Sequence, residues 1–195
     1  MKRLFAAAAF LLATSAQAGT TIGFTGEYDV SNWTTTFTSS CNGCSTTASA
    51  TELTLVGADG PEAIDQFTDR TITALTDAII TFSWEYETFD AFGEPFWDRF
   101  GIIYNDGSGV LFTQLSNDAG TIVQTGSLSF AVDTGDIFGF RVWSVDSLFG
   151  AAEATIFDFS VETAGGGTVP EPGSLALVGV ALLGAAAARR RRIVS

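Results

Sequence analysis

From Thr20 to Thr163 the chain is filled by short runs in which apolar and polar residues alternate. The runs are rich in Thr, Val, Ile, Phe, Trp and Tyr and are broken by Gly, Asp and Asn. A side-chain period of two suits strands with one buried and one wet face, and no long stretch in this region carries the 3.6-residue apolar stripe of a helix. Ile80, Phe82, Trp84 and Tyr86 share one face while Thr81, Ser83 and Glu85 take the other, and Trp84 is expected to be buried. Leu128, Phe130 and Val132 repeat the pattern, as do Phe157, Phe159 and Val161. Further strands are predicted over 21–24, 33–37, 52–56, 70–75, 100–104, 110–115, 121–125 and 137–145, separated by turn chemistry at Asp59-Gly60, 105–109, 118–120 and Gly135-Asp136. Roughly eight to eleven short strands in one domain predict an all-β fold, a jelly-roll-like β-sandwich.

Charge narrows the chemistry. Between residues 19 and 168 the only cations are Arg70, Arg99 and Arg141, set against all but one of the chain's 22 acidic residues. Nucleic acid is excluded as a partner, because neutralising phosphates needs clustered Lys and Arg. The chain has no His, and its single Lys is Lys2. Triads built on His, Schiff-base chemistry and the commonest metal ligand are therefore missing, which leaves carboxylate chemistry or none.

The two ends differ from this domain in composition. Residues 1–18 begin with Lys2 and Arg3, continue as an apolar run and end in Ala16-Gln17-Ala18. That is the pattern of a cleaved secretory signal peptide, with Ala16 and Ala18 as the small residues flanking the cut. Residues 164–169 form a Gly-rich spacer, and residues 170–195 contain Pro170-Glu171-Pro172, an apolar run over 175–188 and Arg189, Arg190, Arg191 and Arg192. As a helix, the run reaches about 21 Å. That is short of a ~30 Å hydrocarbon core, so it predicts a short transmembrane helix that spans with help from its flanks. The arginines orient it with its C-terminal end in the cytoplasm and the domain 19–163 outside. The prolines hold the triplet extended and readable.

The triplet, the Ala/Gly/Leu-rich run and the arginine cluster, in that order, resemble the PEP-CTERM sorting signal. The resemblance covers the last part of the chain only. It implies an exosortase as processing partner, acting at or near Pro170, Glu171 and Pro172, in a Gram-negative bacterium that makes extracellular polysaccharide and biofilm. Phe24-Thr-Gly26 through Asn32-Trp33-Thr34, with residues 96–101 and 137–141, is similar to a domain found in other PEP-CTERM proteins. This implies a sandwich in an extracellular setting and carries no assigned activity. The expected course is export through the inner membrane, a transient anchor there, then the cell surface or the matrix.

Within the domain, Cys41-Asn-Gly-Cys44 is expected to form a local disulfide, since an oxidising compartment favours pairing and an all-β sequence lacks the helix of a redox-active pair. Asp90, Glu94 and Asp98 lie in one predicted loop, where hard oxygen ligands would suit Ca²⁺, although a solvated acidic surface explains them without an ion. Trp97 in the loop Gly93-Glu-Pro-Phe-Trp97 is the candidate sugar-stacking residue, against a packing role at the edge of the core. A glycosidase would need two carboxylates at a set distance, for which Glu85, Glu87, Glu94 and Asp98 are available. The sequence thus predicts a non-enzymatic exported protein. A carbohydrate-binding module, with Ca²⁺ as its candidate cofactor, is the alternative, and a carboxylate glycosidase comes behind it.

Overall fold

The computed structural model describes residues 19–163. Ala16 and Ala18, the triplet Pro170-Glu171-Pro172, the apolar run 175–188 and Arg189–Arg192 lie outside the described residues. Among the described residues no helix is long and apolar enough to cross a membrane.

Eleven strands build two antiparallel sheets: β1 (Thr20–Ile22), β2 (Thr34–Phe37), β3 (Ser45–Ala48), β4 (Leu53–Val56), β5 (Gln66–Thr73), β6 (Ala78–Thr88), β7 (Asp98–Asn105), β8 (Leu111–Gln114), β9 (Val123–Val132), β10 (Ile137–Ser144) and β11 (Ala152–Thr163). One sheet runs β3-β4-β11-β6-β9, with β1 also paired to β11, and the other runs β2-β5-β10-β7-β8. Two single-turn 3₁₀ helices, Gly26–Tyr28 and Val30–Asn32, lie between β1 and β2. The predicted sandwich is therefore present, and residues alternate in burial along β6 as its sequence requires.

The inward faces meet in an apolar core that includes Ile80, Phe82, Ile156 and Val161 from the first sheet and Ile72, Phe138, Phe140 and Val142 from the second. At one end of this core Trp33 is a hub. Its ring stacks on Phe140 at 5.8 Å and meets Phe24, Phe138 and Phe159 edge-on at 5.7, 5.8 and 5.8 Å. Its indole N–H donates to the Tyr28 carbonyl at 3.0 Å, so burial of the ring leaves no donor unpaired.

Phe159 reaches this cluster because β11 is bulged. Phe157 pairs with Ser83 and Ser160 with Thr81, so three steps on β11 match two on β6. The extra residue sits at Asp158, whose φ of 50° lies in the left-handed region that Asp tolerates better than most side chains. The shared face expected for Phe157, Phe159 and Val161 is corrected by this bulge. Phe159 and Val161 are buried, whereas Phe157 lies on the other side of the slip, level with half-buried Ser83.

Two other predictions change. The segments predicted over 121–125 and 128–132 merge into a single strand, β9, which begins at Val123, because Gly126 does not end the strand but makes room for a ring. A Cβ there would come within 2.7 Å of Trp84, which is 6% exposed as its phase predicted. β3 was not foreseen, since Ser45-Thr-Thr-Ala48 is an exposed edge strand without apolar alternation. The ends of the domain meet across β1 and β11. Gly19 N donates to Thr163 Oγ1 at 3.0 Å, and Thr163 N donates to the Gly19 carbonyl at 3.0 Å.

Replacing Trp33 by Ala should remove about 3–5 kcal/mol of stability, the range for emptying a large aromatic site in a packed core. Urea titration of the variant should show an earlier midpoint with an unchanged slope; a midpoint equal to that of the parent would deny Trp33 its central place.

Candidate functional site

Five connections gather at one end of the sandwich: residues 38–44, 57–65, 89–97, 115–122 and 145–151. Cys41 and Cys44 stand at disulfide distance in the first of these, with Cα atoms 5.6 Å apart. The turn they close is docked on its neighbour, because Asp59 N donates to the Asn42 carbonyl at 2.9 Å. Gly60 N then reaches the Ser147 carbonyl at 2.7 Å, and Ala91 N reaches the Phe149 carbonyl at 2.8 Å. The connection 145–151 stores strain: Ser147 and Phe149 have φ of 55° and 66°, and a Cβ on Gly150 would lie 2.2 Å from the Phe89 carbonyl oxygen. Such backbone persists only where surrounding contacts over-determine it.

The acidic residues singled out from the sequence separate here. Asp90 and Asp98 are 6% and 2% exposed, whereas Glu94 is exposed and accepts the Trp97 indole N–H at 3.1 Å. Glu94 thus holds Trp97, and the expected grouping of three is reduced to two. Asp90 Oδ1 accepts from Phe92 N at 2.7 Å, but Asp90 Oδ2 is buried with no hydrogen-bond partner. The Thr88 hydroxyl links the pair, donating to Asp98 Oδ2 at 3.2 Å and accepting from Asp90 N at 3.2 Å. Among the described residues no three Asp, Glu, Cys or His side chains are arranged to hold a metal ion. Burial pushes the Asp98 carboxyl up to about 7; hydrogen bonds from Ser144 and Thr88 oppose the shift, and the charges of Asp90 and Asp146 add to it.

Trp97 does not stand alone as a free platform. It is half-buried, its ring meets Phe96 edge-on at 4.9 Å, and its carbonyl accepts from Val145 N at 2.7 Å. More aromatic surface lies on the outward face of the five-stranded sheet, where alternation puts Arg141 and Trp143 of β10 beside Phe67 and Asp69 of β5 and Arg99 of β7. Arg141 grips Asp69 with two bonds of 2.7 Å and stacks over Phe67 at 4.1 Å. Burial still raises the Asp69 carboxyl, with the Arg141 hydrogen bonds and charge working the other way. Arg99 lies over Phe96 at 4.9 Å and Trp143 at 5.5 Å, and reaches Asp118 at 3.3 Å. Phe112 meets Trp143 edge-on at 5.8 Å and covers Gly101, where a Cβ would come within 2.8 Å of the ring. The sequence favours Trp97 over Trp143 as the exposed aromatic, yet the run Phe138-Gly-Phe-Arg-Val-Trp143 already places Arg141 and Trp143 on one side of a strand.

The carboxylates available to a glycosidase are dispersed. Glu85 and Glu87 alternate outward on β6, Glu94 is tied to Trp97, and Asp98 is buried at the start of β7. An open groove of about 610 Å³ between the β5 and β10 ends and the 3₁₀ turns includes Glu27, Asn32, Thr71 and Leu75 in its lining, with Glu27 its one carboxylate.

Comparison with known proteins identifies the end of the chain. The model of the PEP-CTERM protein-sorting motif matches residues 168–192, so this chain carries that motif. No curated protein matches the sequence. Among solved structures, the chain is similar to the carbohydrate-binding module TmCBM61 in complex with β-1,4-galactotriose, at 12% identity and a TM-score of 0.39, over 72% of this chain and 94% of that one. It is also similar to the family 11 carbohydrate-binding module of a cellulosomal cellulase of Clostridium thermocellum, at 10% identity and a TM-score of 0.40, over 77% and 97%. A third is tailspike protein 4 of bacteriophage CBA120, at 14% identity and a TM-score of 0.40, over 73% of this chain and 21% of that one.

Because the folded state raises the Asp98 pKa, it keeps a proton that the unfolded chain releases near pH 4. Stability should therefore fall as pH rises from about 4 to about 7 and level off above, by a total on the order of 4 kcal/mol. In metal-free buffer, Asp98→Asn should flatten that part of the profile and be more stable than the parent at pH 8. Urea midpoints across pH 5–8 measure both, and a parallel decline in the variant would remove Asp98 as the source.

Proposed function

We propose that this PEP-CTERM chain is an exported, surface-sorted protein whose sandwich acts without catalysis. In this reading residues 1–18 direct export and are removed. The run 175–188 holds the protein in the inner membrane while an exosortase acts at or near Pro170, Glu171 and Pro172. The domain then remains at the surface or enters the extracellular polysaccharide matrix. The motif match over residues 168–192 carries the proposal. The absence of His from the sequence and the dispersal of the available carboxylates over different faces favour a non-enzymatic role.

Intact mass spectrometry of protein from the native host tests the route. The expected mass lacks residues 1–18 and the arginine-bearing tail, and in a strain without the processing enzyme only the tail returns. A tail retained while the enzyme is present would refute sorting by this motif.

One observation favours a second reading, in which the outward face of the five-stranded sheet binds a polysaccharide. Trp143, Phe112 and Phe67 lie there with Arg99 and Arg141, two of the domain's three cations. Aromatic rings stack on the apolar faces of sugars, and guanidinium groups pair with their carboxylates. Trp143→Ala should cut retention in an affinity gel cast with host polysaccharide by roughly tenfold, the effect of losing about 1.4 kcal/mol. Trp97→Ala should change it little. Equal migration of parent and Trp143→Ala would dismiss this face.

A further inference from the structure

We propose that the oxygens of Thr88, Asp90 and Asp98 at the loop end form a site for one hard divalent cation, Ca²⁺. Asp90 and Asp98 are 6% and 2% exposed, and Thr88 Oγ1 ties one residue to the other, donating to the Asp98 carboxylate and accepting from the Asp90 backbone N–H. The Phe92 amide fixes Asp90 through Oδ1, and Oδ2 is left buried without a partner among the described residues. Buried polar atoms are nearly always paired, and a buried carboxylate oxygen without a donor is costly.

No cation among the described residues satisfies it. Of the three arginines there, Arg70 binds Thr35 and the Val30 carbonyl, Arg99 reaches Asp118, and Arg141 is held by Asp69. Asp146, which lies close enough to act on Asp98, adds a third negative charge from the connection 145–151. A cation between the loops would offset this repulsion.

The donor atoms select the ion. They are all oxygens, with no imidazole or thiolate, which favours Ca²⁺ or Mg²⁺ over Zn²⁺ and copper. Carboxylates from loops, completed by neutral oxygens and water, suit the larger and more tolerant coordination of Ca²⁺. A site with so few charges belongs with extracellular modules, whose Kd values lie at about 10⁻⁴–10⁻³ M. Glu94 is not a ligand, because it serves the Trp97 indole.

The test uses the full chain in mild detergent at pH 7.5, stripped with chelator and titrated with CaCl₂ by calorimetry. One site should appear in the stated range, and about 10 mM Ca²⁺ should raise Tm by roughly 4–10 °C. Asp90→Asn should weaken binding at least tenfold and lose most of the Tm shift, whereas Glu94→Gln should keep both. Absence of heat and of a Tm shift in the parent protein overturns the site, and this result does not depend on any variant folding. Parent-like affinity in Asp90→Asn, or equal loss in Glu94→Gln, overturns the ligand set.

Discussion

The two sheets are held in register by aromatic packing around Trp33, and that packing depends on one extra residue in β11. Without the slip at Asp158, the residues following Phe157 would exchange faces, and Phe159 would point away from Phe24, Tyr28 and Trp33. The bulge trades a left-handed non-glycine backbone and a local break in the ladder for a large apolar ring inside the Trp33 cluster of the core. The segment between β1 and β2 depends on the same contact. Its 3₁₀ turns have few ladder bonds of their own, and Phe24, Tyr28 and Trp33 are what fasten it to the sandwich.

Charge is distributed as unevenly as the aromatic rings. All three arginines of the described domain are committed to specific partners, and two of them lie on the outward face of one sheet among aromatic rings. Most acids sit at the surface, where water screens them and they terminate strands or shape turns. The loop end departs from that economy. There, carboxylates are withdrawn from water beside a connection with two left-handed non-glycine residues, so the most strained backbone and the least compensated charge occur together.

Much of the fold was legible because burial leaves a period of two in the sequence. β6 and β10 were placed to within a few residues, since β6 alternates cleanly between a core and an outer face and β10 does so from Phe140 onward. β3 was invisible because an exposed edge strand of Ser and Thr buries too little for a pattern to form. The β11 bulge was hidden for a different reason: Phe157, Phe159 and Val161 satisfy perfect alternation, and only pairing with β6 reveals the slip. The loop carboxylates were found by composition, but composition does not reveal direction. It could not separate Glu94, turned outward to Trp97, from Asp90 and Asp98, turned inward. Arg141 and Trp143 were within reach of the alternation rule, but a loop position marked Trp97 as the exposed aromatic, and loop composition says nothing about strand faces.

The clasp between Gly19 and Thr163 places the start and finish of the domain side by side, at the end of the sandwich opposite the gathered loops. β11, which finishes there, is flanked by β6 along nearly its whole length and by β4 and then β1 on its other side. Antiparallel ladder bonds lie across the strand direction. A pull applied through Thr163 along β11 therefore loads two ladders in shear, many bonds at once, instead of unzipping them singly. A domain built in this way resists a pull at the point where its chain continues.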